Sequence, residues 1–575
     1  MDFVRRCLRQ CESHAYCQED SGEVTNLYLI DLEDGDYPIV KAPVDARYIA
    51  LSYVWGTPPE KGLVGLRPQL PYDKLPQLIL DTISVTSALG YRYLWVDKYC
   101  VHQVDEKLIQ DAARSLVHQS NQEVKHSQIR QMRKIYRNAE LCIIAAAGQD
   151  EHYGLPGVAP ARPHLATAVK SPRNGHKRIA SVPNLHFTRH AVDGTIFTKS
   201  TIQDVQLLCK VSKWWTRCWT YQEGLLSRRC LVFTDEQMYF ECDSGMCCCE
   251  SIPVPTLLPR AGRIFSIIRP FDLPKDRARQ VYPVFREMLK CIVEYTPRQL
   301  SNKNHIINAF VGIIKHHHSV LPLIDHVAGI PYLIIPPDHH RLAYVMRDVD
   351  NLARAKVSFL YSLTWAHVHM GWEKEGNRPL RRIEFPSWSW TGWNGAIYYE
   401  WEGAVKLDNF RGFAENVSVE IDGTFIRLQD IHCSRQYGDL SFFDQSTFSP
   451  KTLLMDSIEI PPHMIEDVDW VGKIPSWAVC NSAAELYFSD AGKGPEEVNS
   501  RLQGGELKLM LLGGDGDACN GFKESTILLI LCPQGKTGVY TRCGILTLES
   551  RLEVFLQSLD VLGVDHRKRT TFRLI

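Results

Sequence analysis

Nothing in this 575-residue chain approaches the roughly 18 consecutive apolar residues that a membrane-spanning helix needs. The opening stretch, "MDFVRRCLRQCESHAYCQED", also lacks the apolar core of a secretion signal. Both absences point to a cytoplasmic chain, in cytosol or nucleus, with no membrane partner. An excess of either charge is missing too: 65 Lys plus Arg stand against 66 Asp plus Glu, so no nucleic-acid footprint is visible. There is no Walker loop, dinucleotide-binding glycine fingerprint, G-x-S-x-G elbow or H-E-x-x-H, which removes the main support for ordinary ATPase, dehydrogenase, hydrolase and zincin readings. Cysteine, by contrast, is plentiful at 18 residues, but these are scattered in a chain with no export signal and read as buried thiols rather than disulfides.

Metal-binding patterns fail on closer reading. "CDSGMCCCE" holds Cys242 and Cys247 to Cys249, yet three consecutive residues converge poorly on one tetrahedral ion, so no metal is expected there. The histidine runs "KHHHS" at 315 to 319 and "PDHH" at 337 to 340 read as surface residues. "GGDGDACNG" opens like a calcium loop but puts Cys519 and Asn520 where an oxygen ligand and a glycine are required, and reads as a turn.

The length is too great for one hydrophobic core, and three regions are expected: 1–252, with an insertion at about 149–211, a mainly helical 253–380, and a β-rich 381–575. "LYLIDLEDGDYPIV" alternates around Asp-Gly as a hairpin does, and "YIALSYVW" follows as a strand. "LPQLILDTISVTSALG" has helical periodicity and a terminator at Gly90, then "YRYLWVD" is a short strand. "SQIRQMRKIYRNAE" places Ile129, Met132, Ile135, Tyr136 and Ala139 on one helical face ahead of the apolar "LCIIAAA". "SKWWTRCWTYQEGLLS" predicts a helix with Ser212 as N-cap, and "RCLVFTDEQMYFEC" two strands around a turn. Alternating strands and helices give the expected fold class: α/β, a mostly parallel sheet flanked by helices. The repeated "VHQ" at 101 to 103 and 117 to 119 brackets either a surface helix or translated non-coding sequence.

Candidate site residues fall where strands end, since ligands of open α/β sheets collect beyond the carboxyl ends of strands. Trp55 and Gly56 end "SYVWG", a wall for a flat ring beside a tight turn; alternatively Trp55 only covers the core. Asp97 ends "YLWVD" and points to the same crevice, unless it is a loop cap. In "CWTYQEG", Trp219 and Glu223 are four residues apart, one above the other on a helix. An indole stacks on a nicotinamide or adenine ring, while a carboxylate holds ribose hydroxyls or supports the charge of a breaking N-glycosidic bond. The plainer alternative makes Trp219 core and pairs Glu223 with Arg217 or Arg228.

Taken together, "YIALSYVWG", "LGYRYLWVDKYCV", "QIRQMRKIYRNAELCIIAAAG", "GLPGV", "WWTRCWTYQEGLLSRRCLVFTDEQMYFEC" and "PSWSWTGW" resemble the heterokaryon-incompatibility (HET) domain proteins of filamentous fungi. The core of the resemblance covers about residues 48 to 250, and weaker agreement continues through "IVEYTPRQLSNKNHIINAFVGI" and "FPSWSWTGW". It implies non-self recognition and programmed cell death when cells of different genotype fuse, and an N-terminal domain distantly similar to Toll/interleukin-1 receptor-type domains. Some of those cleave NAD with a glutamate in a W-x-x-x-E helix, a spacing that Trp219 and Glu223 match. What the resemblance implies is therefore Glu223 as catalytic carboxylate, with Trp55, Gly56, Asp97 and Trp219 around NAD or a related nucleotide as substrate, and no separate cofactor. The competing expectation is a non-enzymatic module that kills by self-assembly or by binding an incompatibility partner protein, and a third is a diverged chain without activity. The chain departs from the family in its long 101 to 119 segment and in the "MCCC" run before Glu250.

Overall fold

The computed structural model describes, in its first part, residues 1–18, 22–56, 68–102, 124–125, 127–158, 186–192, 195–201, 205–250, 256–257 and 263–267. In its second part it describes 273, 281–321, 323–334, 351–368, 379–399, 407, 409–421, 423–431, 452–461, 464–467, 477–479, 482–489, 495–515, 525–535 and 537–575. Apart from Val101 and His102, the "VHQ" repeat lies outside these residues, as do the "PDHH" run and most of "GGDGDACNG". The chain divides into two compact units, Met1–Ile267 and Ile268–Ile575.

The first unit is mixed α/β. Its strands are β1 (Tyr28–Asp31), β2 (Ile39–Lys41), β3 (Tyr48–Ser52), β4 (Tyr93–Val96), β5 (Leu141–Ala145), the hairpin β6 (His186–Val192) and β7 (Thr195–Thr201), then β8 (Arg229–Phe233), β9 (Met238–Cys242), β10 (Met246–Cys249) and β11 (Thr256–Leu257). Nine of them form one sheet in the order β11-β10-β9-β8-β5-β3-β4-β1-β2. The sequence predicts a mostly parallel sheet; parallel pairing is in fact confined to β4-β3-β5-β8, and antiparallel strands extend it on both sides. The reason lies in the connections, since "LYLIDLEDGDYPIV" and "RCLVFTDEQMYFEC" turn too tightly for anything but antiparallel pairing, whereas parallel partners need long crossovers. β3, β5 and β8 are buried along their whole length, as apolar runs covered on both faces must be.

Helix Gln77–Leu89 carries the chain from β3 to β4 and stops where expected, at Gly90, which adopts φ 87° and returns its N–H to the Ser87 carbonyl. Helix Met132–Asn138 leads into β5 and buries Met132, Ile135 and Tyr136. The "SKWW…" segment is not one helix. Ser212 Oγ accepts from the Trp215 amide and caps a short 3₁₀ turn, Trp214–Thr216, while the α-helix proper, Cys218–Leu226, begins after the extended Arg217. Thr220 stabilises the break, its hydroxyl lying 2.7 Å from the Trp214 carbonyl and 2.9 Å from that of Arg217.

The second unit holds helices Val281–Tyr295, Val311–Val320 and Asn351–Ser362 and a twelve-stranded β-rich sheet. Leu509, Leu511, Leu528, Ile530 and Leu546 of its long strands form a core with Phe555 and Leu559. Trp388 and Trp390 of "PSWSWTGW" are fully buried, with the Trp390 indole N–H donating to the Gly329 carbonyl. The "KHHHS" histidines are not surface residues as expected: His316 and His317 are buried in helix Val311–Val320, and His317 Nδ1 lies 2.9 Å from the Ile313 carbonyl. The helix is packed in on most sides, with Val311, Gly312, Ile313 and Ile314 buried as well, which leaves little solvent face for them. Among the described residues, no helix is long and apolar enough to cross a membrane.

Candidate functional site

Register aligns the carboxyl ends of the parallel strands. Leu51 pairs with Val96, Ser52 with Ile144 and Ala145 with Phe233, so the segments that follow β3, β4, β5 and β8 leave the sheet at one edge. From β3 the chain crosses to β4 on one side and then returns to β5 on the other, which makes the gap between β3 and β5 the point where strand order reverses.

Glu223 reaches this edge from helix Cys218–Leu226. Its Oε2 accepts a 2.5 Å hydrogen bond from the hydroxyl of Ser52, the last residue of β3, and that hydroxyl in turn accepts from the Trp214 indole at 2.8 Å. The helix approaches closely because residue 224 is glycine: a Cβ there would stand 2.6 Å from the Phe265 ring and 2.9 Å from that of Trp214. Glu223 is only 4 % exposed. Burial pushes its carboxyl from the ordinary 4.5 up to about 7; the negative charge of Asp97 adds to the rise, and the Ser52 hydrogen bond, the Arg217 cation and the Tyr136 hydroxyl oppose it.

Asp97 stands at the end of β4. Both of its carboxylate oxygens accept from the Trp55 indole N–H, at 3.0 and 2.9 Å, and Oδ1 also accepts from the Lys98 amide at 2.7 Å. Burial raises this carboxyl from 3.8 to about 6, against the lowering effects of the Lys98 amide, Arg217 and Trp55. The charge of Asp97 therefore acts on Glu223, and Arg217 acts on both carboxyls. Arg217 also ties to the loop after β3, donating to the Tyr53 carbonyl at 3.1 Å. Lys98 itself turns to Glu151, 2.9 Å away in the loop after β5, where the glutamate side chain is wholly buried.

Gly56 is closely packed: a Cβ on it would lie 3.2 Å from both Asp150 Cβ and Glu151 Cγ, which would have to give by a few tenths of an ångström. Beyond Asp150, Gly148 and Tyr153 after β5 and Asp235 after β8, with Lys213 just before the 3₁₀ turn Trp214–Thr216, line a cavity of about 630 Å³. The "GLPGV" block anchors this loop, with the Leu155 amide donating to Asp81 of helix Gln77–Leu89 at 2.7 Å. Of the residues named from sequence, Trp55 and Asp97 are in contact and Asp97 and Glu223 are electrostatically coupled. Trp219, one turn before Glu223, is half-buried; the indole bonded into the Glu223 network is that of Trp214. Arg228, one of the two proposed structural partners of Glu223, donates to the carbonyls of Cys17 and Asn138. Ser52, Trp214 and Tyr136 escaped sequence reasoning. Ser52 and Trp214 do lie in the blocks that carry the family resemblance, and that was the available signal.

Residues 48–223 match the family model "Heterokaryon incompatibility protein (HET)". The chain thus carries a HET domain, and the matched stretch begins at β3 and ends on Glu223. Such a domain implies a role in heterokaryon incompatibility, that is, in non-self recognition. No curated protein and no solved structure matches the chain.

Proposed function

We propose that the HET domain is a cell-death effector that hydrolyses NAD or a related nucleotide at the Trp55, Asp97 and Glu223 edge. Water adds to the ribose C1′ as the N-glycosidic bond breaks, the bonding pair leaves with the pyridine nitrogen, and the proton lost by water is released. Glu223 supports the positive charge that builds on the ribose and takes up the proton of the attacking water, tasks suited to a carboxyl that titrates near neutrality. Trp55, half in solvent with its N–H held by Asp97, offers a ring platform, and Trp219 stands one turn from the carboxylate. The observation that carries this reading is the pair of coupled carboxyls, raised to about 6 and about 7, at the strand-order reversal. The similarity of the domain to Toll/interleukin-1 receptor-type domains belongs to the same proposal, and the 2-1-3-4 order of the four parallel strands, counted along the chain, is its support.

One observation favours the second reading, a non-enzymatic module acting through self-assembly or an incompatibility partner. Glu223 is 4 % exposed and already hydrogen-bonded, so substrate must displace internal contacts to meet it. Induced expression in a fungal host, with viability and NAD followed together, separates the two. NAD falling ahead of death supports hydrolysis; death at constant NAD supports assembly.

A further inference from the structure

At the opposite edge of the sheet from Glu223, we infer that Cys11, His14, Cys17 and Cys242 bind a structural zinc ion. Cys11 ends helix Asp2–Cys11, Cys17 lies in the following 3₁₀ turn, and His14 stands between them, so "CESHAYC" presents ligands as C-x₂-H-x₂-C. Cys242 ends β9, where it pairs with Arg229 at the start of β8. That pairing sets the cluster at the amino-terminal end of the parallel strands, away from Ser52 and Asp97.

One ligand atom from each of the four residues lies within 4.8 Å of the others, and Cys242 Sγ is 3.6 Å from His14 Nδ1. A tetrahedral zinc with bonds of about 2.3 Å to sulfur and about 2.0 Å to nitrogen sets its ligand atoms roughly 3.5–3.8 Å apart, which small side-chain movements reach from here. The three cysteines are buried and His14 is half-buried, a closed set that leaves no position for water. Three thiolates and one imidazole suit zinc better than hard cations that prefer oxygen.

The surroundings fit a thiolate centre. Three thiolates around a divalent ion carry one net negative charge, and the guanidinium of Arg229 meets it, donating from Nε to Cys11 Sγ at 3.1 Å. Nη2 of the same residue donates to the Cys17 carbonyl at 2.8 Å, and the Ser244 hydroxyl lies 3.4 Å from Cys17 Sγ. Outer contacts of this kind fix the orientation of metal ligands. The ion staples the N-terminal helix and turn, which precede the matched HET stretch, to β9, which follows it.

The test uses the full chain, produced in zinc-supplemented medium and purified under reducing conditions without chelator. Elemental analysis is expected to give about one zinc per chain, and absorption spectroscopy at the zinc edge three sulfurs and one nitrogen. Cys17→Ser and Cys242→Ser lose the ion, while Cys249→Ser, in the neighbouring cysteine run, keeps it. To separate metal loss from misfolding of the first two variants, the wild type is also stripped with a strong chelator; its melting temperature falls and recovers on adding zinc. Folded wild type that carries under a tenth of an equivalent and takes up no added zinc overturns the proposal. So does zinc lost from Cys249→Ser but kept by Cys17→Ser, or a disulfide among these cysteines in anaerobically purified protein.

Discussion

Ser52 and Glu223, 171 positions apart in the chain, share a 2.5 Å hydrogen bond that joins the end of β3 to helix Cys218–Leu226. Because the same serine hydroxyl accepts from Trp214, Ser52→Ala leaves a buried indole N–H without its acceptor and should cost about 1–3 kcal/mol in urea denaturation. The bond also holds Glu223 below the value that burial alone would give, so its loss moves the titration of Glu223 to higher pH.

Glu223 itself should lower stability where it is ionised. A carboxyl raised from 4.5 to about 7 contributes stability that is fully present below the unfolded value and lost as pH rises through about 7. At about 1.4 kcal/mol per unit, the loss is on the order of 3 kcal/mol. Glu223→Gln, which keeps an acceptor for Ser52, should flatten this fall and melt no lower than wild type at pH values above about 7. A variant less stable than wild type there would mean that the charge is structural.

Asp97→Asn tests the coupling of the two carboxyls. One carbonyl oxygen still accepts from the Trp55 indole, but the charge that raises Glu223 is gone. The loss of stability as pH rises should then be smaller than in the wild type, because Asp97 no longer contributes its own share, and the part due to Glu223 should be complete at lower pH.

Much of the fold was legible because local rules decided it. Helix Gln77–Leu89 follows from apolar periodicity and a glycine stop, and β5 from an apolar run after a helix. The extent of parallel pairing was overestimated, since the short turns of the flanking hairpins decide strand direction there. Trp55, Asp97 and Glu223 were nameable because each stands at a strand end or in a W-x-x-x-E spacing. Ser52 and Trp214 were not, because a small hydroxyl and one indole among several acquire meaning only when register brings them together. The Cys11, His14, Cys17 and Cys242 cluster was missed for the same reason: Cys242 invited comparison with its neighbours at 247 to 249, while its spatial partner His14 lies 228 positions earlier.

The buried Lys98 and Glu151 pair links the ends of β4 and β5 beneath the site. Lys98→Met strands the glutamate and should cost about 3–5 kcal/mol in denaturant midpoint analysis, with Glu151→Gln added to it recovering much of the loss. Equal losses in the single and double variants would show that the charge pairing is not what matters.

The most direct test of the account is release of nicotinamide from NAD by the purified full-length protein near pH 7, measured for wild type and Glu223→Gln after both are shown to melt cooperatively. The account predicts steady release by the wild type and none above background by the variant. Folded wild type that kills cells yet leaves NAD intact, or Glu223→Gln protein that cleaves NAD as fast as wild type, would contradict it.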